Sequence, residues 1–531
     1  MLNSGLHPSG RCVVLLLLLL CLCMTSVSAH DQQHPADAVA PQRVLGELSF
    51  PTSTDSKQAQ QAFERGMLLL HLFEYPFAAA EFRRAREIDA DFAMAYWGEA
   101  MTYNHPLWDE QDREQALAIL QQLGKTPAAR QAQTAAAKER DWLAALDALY
   151  LGSDTADSKA ARDRAHLQHM QAMAQRYRED HEVQLFHALA IFGVSAGVRD
   201  TAAYMQAAAI AQRVFYANRR HPGAAHYLIH GVDDPVHAPL GLEAARALAE
   251  MAPDAGHSLH MTSHIFIALG LWDAVVTANR NAVRVSNAMA AEQGGAARHY
   301  GHYNYWLLYA LLQQGDTQSA RELLLQARAD VARRQDAAPQ RLQLDPDHSP
   351  LGSLVQMWAR YLIETRGSDN DIAAWTFPPM QAFDPQLNIA YVRGMLAQSA
   401  DVVSDQLQSF EQLQSQLTRE LAAQQRQAPA DQLYLQRLVV MAEQMQSADM
   451  RANGDMASAL QHARAASRLE GEMPHAFGPP FVDWPAAEWL GELLLTNDMA
   501  DAAAEAFRLQ LERSRGKRLA EQGLAATTEQ D

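Results

Sequence analysis

Two histidine pairs, His226/His230 and His260/His264, share one internal spacing, and the second pair repeats the first further along the chain. Residues four apart on a helix share a face, so each pair can offer two imidazoles to one ion. Neighbouring helices pack about 8–10 Å apart, and an imidazole binds zinc at about 2.0–2.1 Å. Side chains from two adjacent helices can therefore converge on one ion, or on two neighbouring ions. His257, His302 and Asp233 fall at register positions that could complete or orient such a site. Neutral nitrogen donors suit Zn, Cu, Ni or Fe rather than Ca or Mg, and such an ion should be released as the imidazoles protonate below about pH 6. Other chemistries lack their parts. There is no His-Glu-x-x-His to supply a zincin's general base, and the three cysteines, Cys12, Cys21 and Cys23, all lie near the start of the chain.

The elements that must carry these residues are helices in repeats. The step from His226 to His260, and from His230 to His264, matches the period of the tetratricopeptide repeat (TPR), about 34 residues, a pair of antiparallel helices with small and aromatic residues at fixed offsets. Gly66-x2-Leu69, Ala78-x3-Phe82 and Ala85 fit that pattern, and Tyr96, Ala100 and Tyr103 continue its phase. Near the other end, Leu490-Gly491-x2-Leu494 and Ala503-x3-Phe507 fit it again. Strand signals are nearly absent, so the expected fold is all-α, a TPR-type solenoid of antiparallel helix pairs with irregular Pro/Gly-containing insertions.

Phasing then places the chemistry. If Leu269-Gly270-x-Trp272 ends the first helix of a repeat, then His257, His260 and His264 lie on that helix, and His226, His230 and Asp233 lie on the equivalent helix one repeat earlier. Gly315 sets a phase that puts His302, Tyr305 and Tyr309 on a third equivalent helix. In repeats of this kind those positions face the concave groove, so Tyr305 and Tyr309 are expected to line it. Other readings stay open. Groove histidines can hydrogen-bond the backbone of a bound peptide or form a buried network, and Asp233, next to Asp234-Pro235, can simply end a helix. His71, His105, His187, His348, His462 and His475 are scattered and read as structural, while Trp108 after Pro106 could cap the groove.

Residues 1–29 read as a secretory signal, with Arg11 before the apolar run Val13–Leu22 and a small-residue cleavage site at Val27-Ser28-Ala29. The apolar run is too short to span a bilayer. All cysteines would leave with it, and the formal net charge would move from −18 to −19. That charge argues against nucleic acid and anionic membranes as partners. The organisation expected is a leader at 1–29, a polar linker at 30–57, a solenoid with a histidine-rich groove at 58–335, an irregular connection at 336–395, and a helical, TPR-like region at 396–531.

The segments HPGAAHYLIHGVDDP and HSLHMTSHIFIALGLW resemble those of a bacterial family of exported tetratricopeptide-repeat proteins with a central histidine motif. The resemblance extends through GELSFPTST, HLFEYPFAAAEF, DFAMAYWGEAM and NHPLW to PHAFGPPFVDWPAAEWLGELLL, covering most of the chain beyond the leader. Relatives often carry cysteines at the positions of Ser53 and Phe92, which implies that any disulfide there is dispensable. The resemblance implies the fold and brings no activity with it. The function expected is that of a periplasmic or secreted repeat protein without a membrane anchor, whose groove holds a transition metal, a protein or peptide partner, or both. A metal-dependent enzyme of unspecified reaction, its ion held by His226, His230, His260 and His264, is the alternative.

Overall fold

The structure, a computed structural model, describes residues 43–151, 158–334, 340–475 and 477–528. The expected leader, the cysteines and the first part of the expected linker lie outside these residues. Among the described residues there are twenty-four α-helices, most packed against their sequence neighbours, and two strands of two residues each. The strands, Asn104–His105 and Glu110–Gln111, pair antiparallel across a short 3-10 turn at Pro106–Trp108. The expectation of an all-α solenoid of helix pairs therefore holds.

The repeat pattern works through one packing device. A Cβ on Gly66 would stand 2.7 Å from the ring of Phe82, and one on Gly98 would press still deeper into the same ring. Phe82, fully buried, thus fills a slot that two glycines leave open, one on each side of it in sequence at equal separation. At the other end Phe507 sits in the same way between Gly491 and Gly523, with the same spacing. Helix approach is set by absent side chains on one element and an aromatic ring on another.

The histidine-bearing helices are Pro222–Val232, Gly256–Ala268 and His302–Gln313. The first two start at Pro222 and Gly256, one repeat length apart, as the register requires. Pro222 at the first position suits a helix start, and the Ala224 N–H donates to His221 Nδ1 at 3.4 Å as a cap. The second helix begins on a carboxylate, with the His257 N–H donating to Glu74 Oε1 at 3.0 Å, where the helix dipole favours negative charge. Every residue of both helices is buried, so their histidines face protein and not water.

Two expected boundaries do not match the structure. The helices Pro350–Glu364 and Phe383–Leu396 occupy much of the expected connection at 336–395, and the described residues form one compact unit with no break there. The second half of the supposed linker also belongs to the core. Leu45 and Phe50 are buried, and the Phe50 ring lies 5.2 Å from that of Phe63 and 5.6 Å from that of Trp142. Beyond the stretch 336–395, the expected helical region at 396–531 opens with two helices of 24 residues each, Ala400–Ala423 and Pro429–Ala452. Among the described residues no helix is long and apolar enough to cross a membrane.

Candidate metal centre

The structure brings the predicted histidines together. Four contacts link their rings into one cluster: His226 to His230 at 4.8 Å between centroids, His230 to His264 at 5.7 Å, His264 to His260 at 5.1 Å and His260 to His302 at 4.6 Å. His257 joins from the first turn of its helix, 5.1 Å from His226 and 6.2 Å from His260. The four-residue spacing does what helix geometry demands. His226 Nε2 and His230 Nε2 stand 3.1 Å apart, and His260 Nε2 and His264 Nε2 stand 3.2 Å apart. Two nitrogens held by one tetrahedral zinc-sized ion at about 2.0–2.1 Å stand ~3.3 Å apart, so both pairs are at ligand spacing.

The outer nitrogens decide which protons are available. His226 Nδ1 donates to the His71 carbonyl at 2.7 Å. His264 Nδ1 donates to Asp233 Oδ2 at 2.8 Å. His260 Nδ1 donates to Asn279 Oδ1 at 2.7 Å, and Asn279 is oriented by its own amide, which donates to the Val275 carbonyl at 3.0 Å. His302 Nδ1 donates to Asp347 Oδ2 at 2.9 Å. A neutral imidazole carries one N–H, so the inner nitrogens of His226, His260 and His264, whose rings burial keeps neutral, carry lone pairs. In the first pair His230 Nε2 can still donate to His226. In the second pair both lone pairs face each other at 3.2 Å with no proton between them, an arrangement that calls for a cation. This outer ring of acceptors is also what fixes the tautomer of a metal-bound histidine.

Electrostatics keep the inner rings neutral. Burial pushes His226 down to about 4, against the raising effect of its bond to the His71 carbonyl. Burial, reinforced by the neighbouring imidazoles, holds His230, His257, His260 and His264 well below the usual histidine range. His302 differs because its side chain is 45 % exposed and bonded to Asp347. Burial lowers it, but the hydrogen bond and charge of Asp347 outweigh that, and its pKa is raised.

Asp233, expected among the ligands, lies at ligand spacing with His230 and His264, the three candidate atoms within 4.8 Å of one another, and it also holds the outer proton of His264. It forms a buried ion pair with Arg199 and accepts from His264, while its Oδ2 is 3.9 Å from His230 Nδ1. Tyr305 and Tyr309 do not line an open groove. Both are buried; Arg360 donates to Tyr305 Oη at 2.9 Å and its guanidinium lies 5.1 Å from the Tyr309 ring. The reason is helical phase. Trp306, four residues after His302, shares its face and packs on His264 at 4.5 Å and on His260 at 4.7 Å, which turns Tyr305 and Tyr309 toward Arg360 instead.

Other contributors were not legible as such. Phe73, held at φ +55, covers the first pair, its ring 4.4 Å from His226 and 5.6 Å from His257. A bulky residue in that backbone region is strained, as residues at functional sites often are. Trp108, 44 % exposed, lies 5.9 Å from His257 and does sit at the edge of the cluster. His71 forms a separate buried set: it donates to Glu182 at 2.7 Å, His221 donates to the same carboxylate at 3.0 Å, and Tyr227 bonds His71 Nδ1 at 3.0 Å. Every nitrogen of that set has a hydrogen-bond partner, in keeping with a structural role for His71. His348 bridges Glu110 at 2.8 Å and Asp345 at 3.2 Å, tying the Asp345–His348 turn to the small strand pair beside Trp108.

No family model matches the chain, and no curated protein matches it in sequence. Among solved structures it is similar to the TPR domain of P58(IPK), at 12% identity over 89% of this chain and 98% of that one, with a TM-score of 0.20. It is also similar to yeast Tom70, at 10% identity over 90% and 89% of the two chains with a TM-score of 0.31. A third is human IFIT1, crystallised as a dimer with m7Gppp-AAAA, at 10% identity over 90% and 96% with a TM-score of 0.34. At these values the likenesses bear on neither ligand nor activity, and the fold described above stands on this chain's own helices.

Proposed function

We propose that this protein binds a transition metal in the histidine cluster on the helices Pro222–Val232, Gly256–Ala268 and His302–Gln313. The observation that carries the reading is the pair His260 and His264: their Nε2 atoms are 3.2 Å apart, and both Nδ1 protons are committed, one to Asn279 and one to Asp233. Lone pairs in that position repel unless a cation lies between them. A buried hydrogen-bond network, the plainer alternative, would have left one of these nitrogens a proton. The donors that meet in the cluster are imidazole nitrogens, with the Asp233 carboxylate beside them, which suits Zn, Cu, Ni or Fe. An open groove for a peptide finds less support at this place, because His226, His230, His257, His260 and His264 are all buried. From the leader expected at residues 1–29, we infer that the protein acts after export, in the periplasm or outside the cell.

The test is elemental analysis of the purified protein after exposure to each metal without chelators. Bound metal is expected, and the double variant His230→Ala/His264→Ala should lose it while keeping its helical circular dichroism. A folded wild-type protein that takes up none of the four metals would leave a repeat scaffold for protein partners as the remaining function.

A further inference from the structure

We propose that the cluster is a two-copper centre, one ion held by His226, His230 and His257 and the other by His260, His264 and His302. This rests on the metal-binding reading above and goes beyond it in number, ligand sets and element.

The partition comes from geometry. Within each of these two triplets the candidate ligand atoms lie within 4.8 Å of one another and the triplets share no residue, while a third group at the same spacing, His230, Asp233 and His264, takes one imidazole from each and lies at their junction. Each is built alike: a pair four residues apart on one helix, at ligand spacing, plus one ring from the first turn of another helix. His257 adds an independent sign. It is buried, its Nδ1 lies 3.4 Å from the Tyr303 hydroxyl, and its Nε2 has no hydrogen-bond partner. A buried nitrogen without a partner is costly, and a ligand role in the first triplet removes that cost. Contacts between the triplets, His230 to His264 at 5.7 Å and His257 to His260 at 6.2 Å, make the two sites neighbours.

Charge and coordination number point to the element. All six donors are neutral nitrogens, and the nearest buried carboxylate, Asp233, is already neutralised by Arg199. Two adjacent divalent ions would place four positive charges beside carboxylates that are each already engaged, Asp233 by Arg199, Asp347 by His302 and Glu74 by the His257 N–H, a heavy desolvation cost. Copper(I) halves that charge and is satisfied by three nitrogen donors. Zinc with three imidazoles needs a fourth ligand. For nitrogen sites copper also stands at the top of the divalent affinity series, so oxidation of the ions does not favour a competitor.

The full chain, freed of metal and kept anaerobic, is titrated with Cu(I) in competition with a coloured Cu(I) chelator. Two copper ions per chain are expected. His226→Ala/His257→Ala and His260→Ala/His302→Ala should each retain one, and the four substitutions together none. His302, exposed at the edge of the cluster, gives the mildest variant, and His302→Ala alone should lose one tightly held ion with unchanged circular dichroism. It decides the matter if the buried variants do not fold. Saturation of the wild type at one ion, with either variant abolishing it, would mean a single shared site and overturn the proposal. So would displacement of the copper by equimolar zinc. Failure to bind any metal at all would instead remove the reading on which this proposal rests.

Discussion

Asn279 and Asp347 hold imidazole protons and touch no ion, and their roles can be read directly. Asn279→Ala removes the acceptor for His260 Nδ1–H, so the ring loses both its tautomer and its aim. Loss of such an outer partner typically costs about 10–100-fold in metal affinity, and chelator competition on a protein of unchanged helicity is the measurement. The acid response is also set residue by residue. His226 and His166, the latter bonded to the Ala145 carbonyl at 2.9 Å, are both held near 4 by burial. Each therefore stays neutral in the native state at pH values where the unfolded chain takes up a proton. Native stability of the metal-free protein should fall as pH drops from about 6.5 toward 4, by roughly 3 kcal/mol for each of these two residues, as denaturant titrations at pH 7 and 4.5 would record. For the same reason bound metal should survive at pH 5 and leave near pH 4, lower than the release below about pH 6 expected for ordinary imidazoles. The helix-borne histidines were legible because a four-residue step and a repeat-length period are properties of the sequence itself. Asn279 and Asp347 were not, because they reach the cluster from 19 and 45 residues away, and nothing local distinguishes a buried acceptor from a solvated one.

Elements show the same division between what is periodic and what is not. The first and last helix pairs could be recognised from small and aromatic residues at fixed offsets, and both use the glycine-flanked phenylalanine. Gly66→Leu should force a side chain into the space of the buried Phe82 ring, an overpacking expected to cost about 1–3 kcal/mol; unchanged thermal unfolding would sink that account. The stretch 336–395 looked irregular because Pro, Asp and Gly cluster at the ends of its helices, yet Pro350–Glu364 is buried along most of its length. Its polar residues complete a charge network that pattern reading has no means to find. Lys517 Nζ lies 2.9 Å from Glu364 and 3.1 Å from Glu488, all three fully buried, and Arg366 pairs with Glu488 at 2.7 Å. Lys517→Met leaves two carboxylates under-compensated. Breaking a buried pair from one side costs about 3–5 kcal/mol, and with Arg360 and Arg366 still present a loss near about 3 kcal/mol is expected in chemical denaturation.

Across the whole described body, the cluster gathers segments far apart in the chain. Phe73 follows the first helix of the described chain, the histidines come from three central helices, and Trp306 packs against the segment leading to the last helices. A Cβ on Gly478 would run into the Trp306 ring, and Arg360 donates to the carbonyls of Pro480 and Asp483 at 2.7 Å each. An ion bound here ties several helix pairs to one another and binds only the native state. Stabilisation should therefore grow with free metal, by about 2.7 kcal/mol at a hundred times the dissociation constant. Chelation should lower the melting temperature without changing the helical signal at room temperature. That Trp306 meets Gly478, and Arg360 meets Pro480 and Asp483, was not legible, since periodicity reports neighbours and is silent about contacts across more than a hundred residues. The two histidine helices with no face left to water also imply an order of events. Trp306, the ring that packs on His260 and His264, itself rests against Gly478, so the pocket reaches its final packing only after most of the chain has been made. A chain threaded through a secretion channel in unfolded form would reach the far side empty, and would load its ions from whatever pool it meets there.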